Sequence, residues 1–281
     1  MATIAASLNR VRDAFEARTS QVPYRVKLAV VWLLIFTALA WLFLAFGFDV
    51  PFMRQWLPFL LGGVPLTIFI CVAAILLSIP LALLGALGRL SKNPLLNGVA
   101  SFYVSFIRGT PLIVQIFFFY LALPQFARFA PAWLAPYFIL DAIPAGIIAL
   151  GVNYGAYLTE IFRGGIQSVG HGQVEAAHAL AMGQSQTMRR IVLPQAIRVI
   201  IPPTGNEFIA MLKDSSLLGV VGTQELFFRA TKIGRQSFKT LEMLVIAAAI
   251  YWILTSIFSF FQARLERRMA RGYVRDQPHG H

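Results

Sequence analysis

Long uncharged stretches dominate the chain. Residues 28–48 and 59–88 carry no charge, 109–127 follows Arg108 and carries none, 138–158 carries Asp141 alone, and 243–263 carries none. A helix needs about 20 mostly apolar residues to cross the hydrocarbon core, and each stretch meets or approaches that length. A weaker sixth stretch, 200–222, is interrupted by Glu207, Lys213 and Asp214. Transmembrane strands would give short alternating segments instead of continuous runs. The pattern therefore predicts an all-α, polytopic membrane bundle of six spans.

Composition agrees with this. The 281 residues are 58% hydrophobic and 13% charged, against about 25% charged in a soluble domain. The net charge of +12 does not point to nucleic acid, because basic residues cluster just outside the apolar runs, as in the cytoplasmic loops of membrane proteins. With six spans both termini share a side. That side holds fifteen of the basic residues that lie outside the spans, including Arg10, Arg12, Arg89, Lys92, Arg189, Arg190 and Arg267, against six opposite. The excess places both termini in the cytoplasm. The lone cysteine, Cys71, cannot form an internal disulfide, and no metal-ligand spacing is present. The first apolar run is too long for a cleavable signal. Ahead of it, residues 1–27 form a basic leader, and Ile4, Leu8, Val11 and Phe15 recur at helical spacing. It reads either as a membrane-surface amphipathic helix or as a disordered basic segment.

One cytoplasmic loop, 165–199, is longer and more polar than the rest. Gly164 and Gly165 are expected to break the preceding helix, and a helical stretch, a turn at Gly183 and a second stretch follow. Its core reads EAAHALAMGQSQTMRRIVLPQA from Glu175 to Ala196. Ala176 and Ala177 keep a helix face flat for a close partner. Gly183 allows a turn that a side chain would obstruct. Ile191 and Leu193 lead to Pro194, which ends or redirects the helix. Glu175 offers a carboxylate to a helix dipole or to a partner's arginine.

This segment resembles the EAA loop of ABC importer permeases, with Glu175, Ala176, Ala177, Gly183, Ile191, Leu193 and Pro194 at the family's spacing. FIRGTPLIVQIFFFYLALP (Phe106–Pro124), NYGAYLTEIFRGGIQSV (Asn153–Val169) and NEFIAMLKDSSLLGVVG (Asn206–Gly222) resemble the polar-amino-acid branch of that family, the permeases for histidine, arginine, glutamine, glutamate and cystine. The resemblance implies a type I importer permease domain over 56–268, with a further N-terminal helix, 28–48, that shorter members lack and a cytoplasmic tail, 269–281. It implies a multi-pass protein of the bacterial inner membrane. The implied partners are a second permease, the same or similar, a dimer of ABC ATPase subunits docked on the EAA loops, and a periplasmic amino-acid-binding protein. ATP and magnesium belong to the ATPase. This chain has no phosphate-binding loop and no catalytic constellation, so it is read as a transport subunit without a cofactor of its own and not as an enzyme. A secondary amino-acid transporter or channel is the competing reading, and the complete EAA pattern counts against it.

Charges within spans mark functional candidates. Lys213 and Asp214, adjacent on a helix, point about 100° apart, which asks for separate partners or a local break. With Ser215 and Ser216 they form either a substrate site or a polar seam between permeases, and Gln115, Asn153 and Glu207 are weaker pathway candidates. Glu160 and Arg163, three apart, read as a structural ion pair. Gly151 and Gly155 fit close helix packing, within the chain or between two permeases. Arg229, Lys232, Arg235 and Lys239, on the outer side, are spaced as one helical face, suited to an acidic binding-protein rim or to lipid headgroups.

Overall fold

The computed structural model describes residues Pro23–Met269, and the regular structure among them is entirely helical. The reading of 1–27 as a surface helix or disordered leader lies largely outside the described residues, as does nearly all of the tail. The chain divides into two compact units after Phe52. In the first, α1 (Tyr24–Ala45) spans 22 residues with no buried side chain. At 1.5 Å per residue it is about 33 Å long, enough to cross a bilayer. Trp32 stacks on Phe36, and Phe43 and Phe46 both meet Phe48 at the helix end.

The second unit is built around α3 (Val64–Leu90) and α6 (Ala142–Gln167), which form its most extensive helix pair. Small residues permit this contact. A Cβ at Gly151 would lie 2.6 Å from Leu77, and one at Gly155 2.7 Å from the Tyr103 hydroxyl. The GxxxG pair is thus filled from within the chain. Ser78 stitches the seam, its hydroxyl 2.8 Å from the Ala74 carbonyl and 3.0 Å from that of Gly151. Ile70, Ala74, Ile116, Leu150, Met211 and Leu218 are fully buried around the pair. At one end Glu160 holds both Arg163, at 2.7 Å, and Arg89 of α3, at 3.2 Å. The pair expected from spacing is present and gains a third member, though at 21–31% side-chain exposure each contact contributes about 1 kcal/mol or less.

Among the described residues five helical segments are long and apolar enough to cross a membrane: Tyr24–Ala45, Val50–Leu90, Leu112–Phe129, Ala142–Gln167 and Thr240–Met269. The second joins α2 (Val50–Leu61) to α3, and the last is α11. The sixth stretch is not among them. It is helical, but α9 (Leu193–Asp214) gives way to a 3-10 helix at Ser215–Val221. The apolar run at 109–127 is not a single helix either. α4 (Pro94–Gly109) ends where Thr110 turns extended, the region that a following proline favours. Pro111 then opens α5 (Leu112–Phe117), which loosens into π and 3-10 turns to Phe129.

α10 (Leu226–Gln236) is capped by Glu225, whose carboxylate accepts from the amides of Phe227 (2.9 Å) and Phe228 (2.7 Å). Glu225 is fully buried. Its Oε2 also accepts from Tyr251 of α11 at 2.7 Å and, at 3.5 Å, from Thr67 of α3. One carboxylate thus joins three helices. It lies outside the membrane-crossing segments, and burial pushes its carboxyl above the usual range while these donors pull it back. Glu225→Ala removes a cap and strands two hydroxyls, and should cost about 3 kcal/mol in denaturant titration of the detergent-solubilised protein. Because the folded-state value is raised, the contribution linked to this proton is present below the ordinary carboxylate range and is lost as pH rises through the raised value. The stability advantage of wild type over Glu225→Gln should therefore shrink as pH increases. A pH-independent difference would contradict this.

Candidate coupling surface and substrate pathway

The EAA segment is a helix–turn–helix. α6 continues through Gly164 and Gly165 to Gln167, so these glycines do not break it; Gly165 is instead a contact point, where an added Cβ would strike Ile200. α7 (His171–Ala179) carries the EAA triplet. Glu175 and Ala176 are exposed, while Ala177 is 3% exposed and faces inward. The flat outer face expected of the alanines is therefore supplied by Ala176, and Ala177 seats the helix.

The turn after α7 is made at Ala181, not at Gly183. Ala181 has φ 58°. The Ala181 amide donates to His178 and the Met182 amide to Ala177, the pairing of a Schellman cap whose left-handed residue is usually glycine. Ala181→Gly should raise stability by about 0.5 kcal/mol, the left-handed strain of alanine being partly offset by glycine's greater freedom when unfolded; a thermal melt would read it. Gly183 has extended geometry at φ −66°, and an added Cβ there would meet nothing within 4 Å. Its glycine is not demanded by this chain's own fold. Its amide donates to the Gln186 side chain at 3.3 Å, opening the single turn α8 (Gln184–Thr187).

Pro194 does not end a helix. It stands in the first turn of α9, and the chain passes into it through a π turn at Met188–Val192 that includes Ile191. A first-turn proline loses no hydrogen bond, and the wide turn ahead of it leaves room for its ring. Leu193 and Ile191 are half-buried and Pro194 is exposed.

The pathway candidates separate into two groups. Gln115 and Asn153 are each 6% exposed and bond to one another at 3.0 Å. The Gln115 amide also donates to the Ile107 carbonyl at 2.8 Å and lies within reach of Thr110. These residues brace the break between α4 and α5. The second group is the end of α9. Asp214 accepts from the Tyr154 hydroxyl at 2.8 Å. Lys213 turns away to line a separate cavity of about 360 Å3 with Ser216, Phe227 and Tyr251. The two charges do diverge, and the helix does change form, as their adjacency requires. Ser215 is fully buried and bonds back to the Leu212 carbonyl. Glu207 feels the opposite charge of Arg108 and the like charge of Asp214.

Three residues join this group that sequence reasoning did not nominate. Arg108 lies 5.0 Å from the Tyr157 ring centre, and Tyr157 meets Tyr154 at 6.2 Å. Arg108, Tyr157, Tyr154 and Asp214 thus form a row of two rings between opposite charges. The tyrosines sit inside an apolar run, where only their spacing of three along α6 hinted at a shared face.

The basic outer face is also revised. Arg229 donates to the carbonyls of Gln224 and Phe59, both at 3.0 Å, and stacks over the Phe59 ring, fastening α10 to α2. Lys239 falls beyond the end of α10, past a left-handed turn at Phe238, φ 55°. Lys232 and Arg235 alone remain on the helix face.

A bundle of long apolar helices with an exposed helix on a polar loop defines a membrane-spanning protein. The chain belongs to the family of binding-protein-dependent transport system inner membrane components, which it matches over residues 74–271. It is 39% identical to the probable amino-acid permease protein YxeN of Bacillus subtilis, covering 80% of this chain and 97% of that one. It is 41% identical to the L-cystine transport system permease protein TcyB of the same organism, over 76% and 88%. The Escherichia coli glutamine transport system permease protein GlnP is 36% identical over 76% and 94%. A crystal structure of an amino acid ABC transporter with histidines superposes with a TM-score of 0.71 at 37% identity, covering 79% of this chain and 99% of that chain. The inward-facing MetNI methionine transporter, at 19% identity and a TM-score of 0.62, shares the fold.

Proposed function

We propose that the chain is the permease subunit of an ATP-driven importer carrying a polar amino acid from the periplasm to the cytoplasm, with both termini cytoplasmic. The observation that carries this is the exposed EAA helix beside an open Gly183, on a chain whose relatives are amino-acid transport permeases. The working unit pairs two permeases, and each receives one subunit of an ABC ATPase dimer on α7. ATP and magnesium are held there. A periplasmic amino-acid-binding protein delivers the substrate.

The chemistry at the end of α9 suits an amino acid. The substrate ammonium is matched by Asp214 and Glu207, and its carboxylate by Arg108 or Lys213, a charge-assisted pairing. The Tyr154 hydroxyl holds Asp214 in position. The break at Ser215 resembles the discontinuous helices on which transporters place charged ligands.

Reconstitution tests the reading. The permease, its co-purifying ATPase and the binding protein in vesicles should accumulate a labelled polar amino acid only with ATP. Uptake that proceeds without any ATPase subunit would overturn it.

A further inference from the structure

A cavity of about 560 Å3 lies behind the coupling helix, apart from the pathway residues. Its apolar wall is Ile166, Val169, Val174 and Val192, part of the cluster on which α7 rests. Its polar wall is Lys92, His171, His178, Gln167, Gln184 and Thr187, with no carboxylate among the lining residues. His171, Val174 and His178 recur at three and four, so one face of α7 lines the cavity, and Glu175 and Ala176 are not part of it.

Thr187 provides the second observation. It is 3% exposed, and its hydroxyl has no hydrogen-bond partner among the described residues. Leaving such a group unmatched costs about 1–3 kcal/mol. A hydroxyl donor, an ammonium, two imidazoles and two amides around an apolar floor form a donor-rich cradle that suits an oxyanion attached to an apolar body.

We propose that this cavity is a cytoplasmic oxyanion site, taking a phosphate or carboxylate group and thereby fixing the seat of α7. Lys92 supplies the charge, His171 and His178 imidazole donors, and Thr187 the buried hydroxyl. The ligand is either a soluble metabolite or the headgroup of an anionic phospholipid, since the two share this chemistry. Binding at the cavity is independent of the transport reading; only its consequence for coupling rests on that reading.

The test uses the assembled transporter, without nucleotide, in discs of phosphatidylcholine or of phosphatidylcholine with one-third phosphatidylglycerol. Inorganic phosphate is titrated at constant ionic strength and the thermal unfolding midpoint is followed. In phosphatidylcholine the midpoint should rise and saturate. Lys92→Gln with His178→Gln, and separately the near-isosteric Thr187→Val, should each raise the half-saturating concentration about tenfold, the effect of losing a charge-assisted contact. If phosphatidylglycerol already raises the midpoint in wild type but not in the variants, and removes the phosphate response, the headgroup is the ligand. If phosphate acts equally in both discs, the ligand is soluble. A phosphate response identical in wild type and all variants belongs to the ATPase and overturns the proposal, as does the absence of any response in both lipids.

Discussion

Gly183→Trp should abolish substrate-stimulated ATP hydrolysis while leaving the permease folded and inserted. The two halves of that expectation come from one observation. An added Cβ at Gly183 meets nothing within 4 Å, and the backbone there is extended. The first side-chain atom meets nothing in this chain, so folding stability should hold within the range of an ordinary surface change, about 0.5 kcal/mol. A docked ATPase has no such room if it approaches the loop closely. Hydrolysis by the reconstituted complex should drop to its unstimulated level, and the ATPase should co-purify poorly. Wild-type stimulation in this variant would show that the partner does not approach Gly183. Loss of the folded protein would show that the glycine serves this chain.

The second large effect concerns the end of α9. Asp214→Asn should raise the apparent KM for uptake about 10–100-fold, the range for removing a charged hydrogen-bond partner worth about 1.5–3 kcal/mol. The asparagine can still accept from Tyr154, so the local fold is preserved. Lys213→Met is measured separately, because Lys213 lines a cavity with Ser216, Phe227 and Tyr251 whereas Asp214 bonds to Tyr154. If Lys213 reaches the carboxylate of the same substrate, the two losses should not add in free energy, as expected of neighbouring groups that share a ligand. Uptake measured over a substrate range in matched vesicles decides the matter. Unchanged KM and selectivity in both variants would remove these side chains from the substrate site and leave them as a polar seam.

The bundle was legible in the sequence because lipid imposes a simple rule. Residues 28–48 and 243–263 have no charge to satisfy, so length alone identified α1 and α11. The region 109–127 does supply one candidate span, Leu112–Phe129, but hydropathy could not register that its helix starts only after the break at Thr110 and Pro111, a local dihedral constraint at the edge of the apolar run. The EAA loop was found by spacing, yet two of its physical explanations were reversed. Gly183 and Pro194 were assigned the roles those residues play most often, a turn for the glycine and a stop or change of direction for the proline. The structure puts the left-handed residue at Ala181, where alanine gives no warning, and uses Pro194 to begin a helix. Asp214 and Lys213 stood out as costly charges, whereas Tyr154 and Tyr157 did not, since a tyrosine in an apolar run reads as packing until its hydroxyl is seen to have a partner. Arg229 was misassigned because helical spacing reports a shared face and not what that face touches.

The elbow between α4 and α5 bears on how the chain enters the membrane. α4 has 16 residues and α5 opens an 18-residue apolar helical segment, and a break beside hydrocarbon would leave carbonyls unsatisfied, at several kcal/mol each. Gln115 is only eight positions beyond Ile107, and it brings its amide back to that carbonyl and to Thr110. The bend therefore carries its own solvent in its sequence. Asn153 orients the glutamine from α6, but the first hydrogen bonds require nothing synthesised later. The segment can leave the insertion machinery already bent and already satisfied, and wait in lipid for the helix that will lock it.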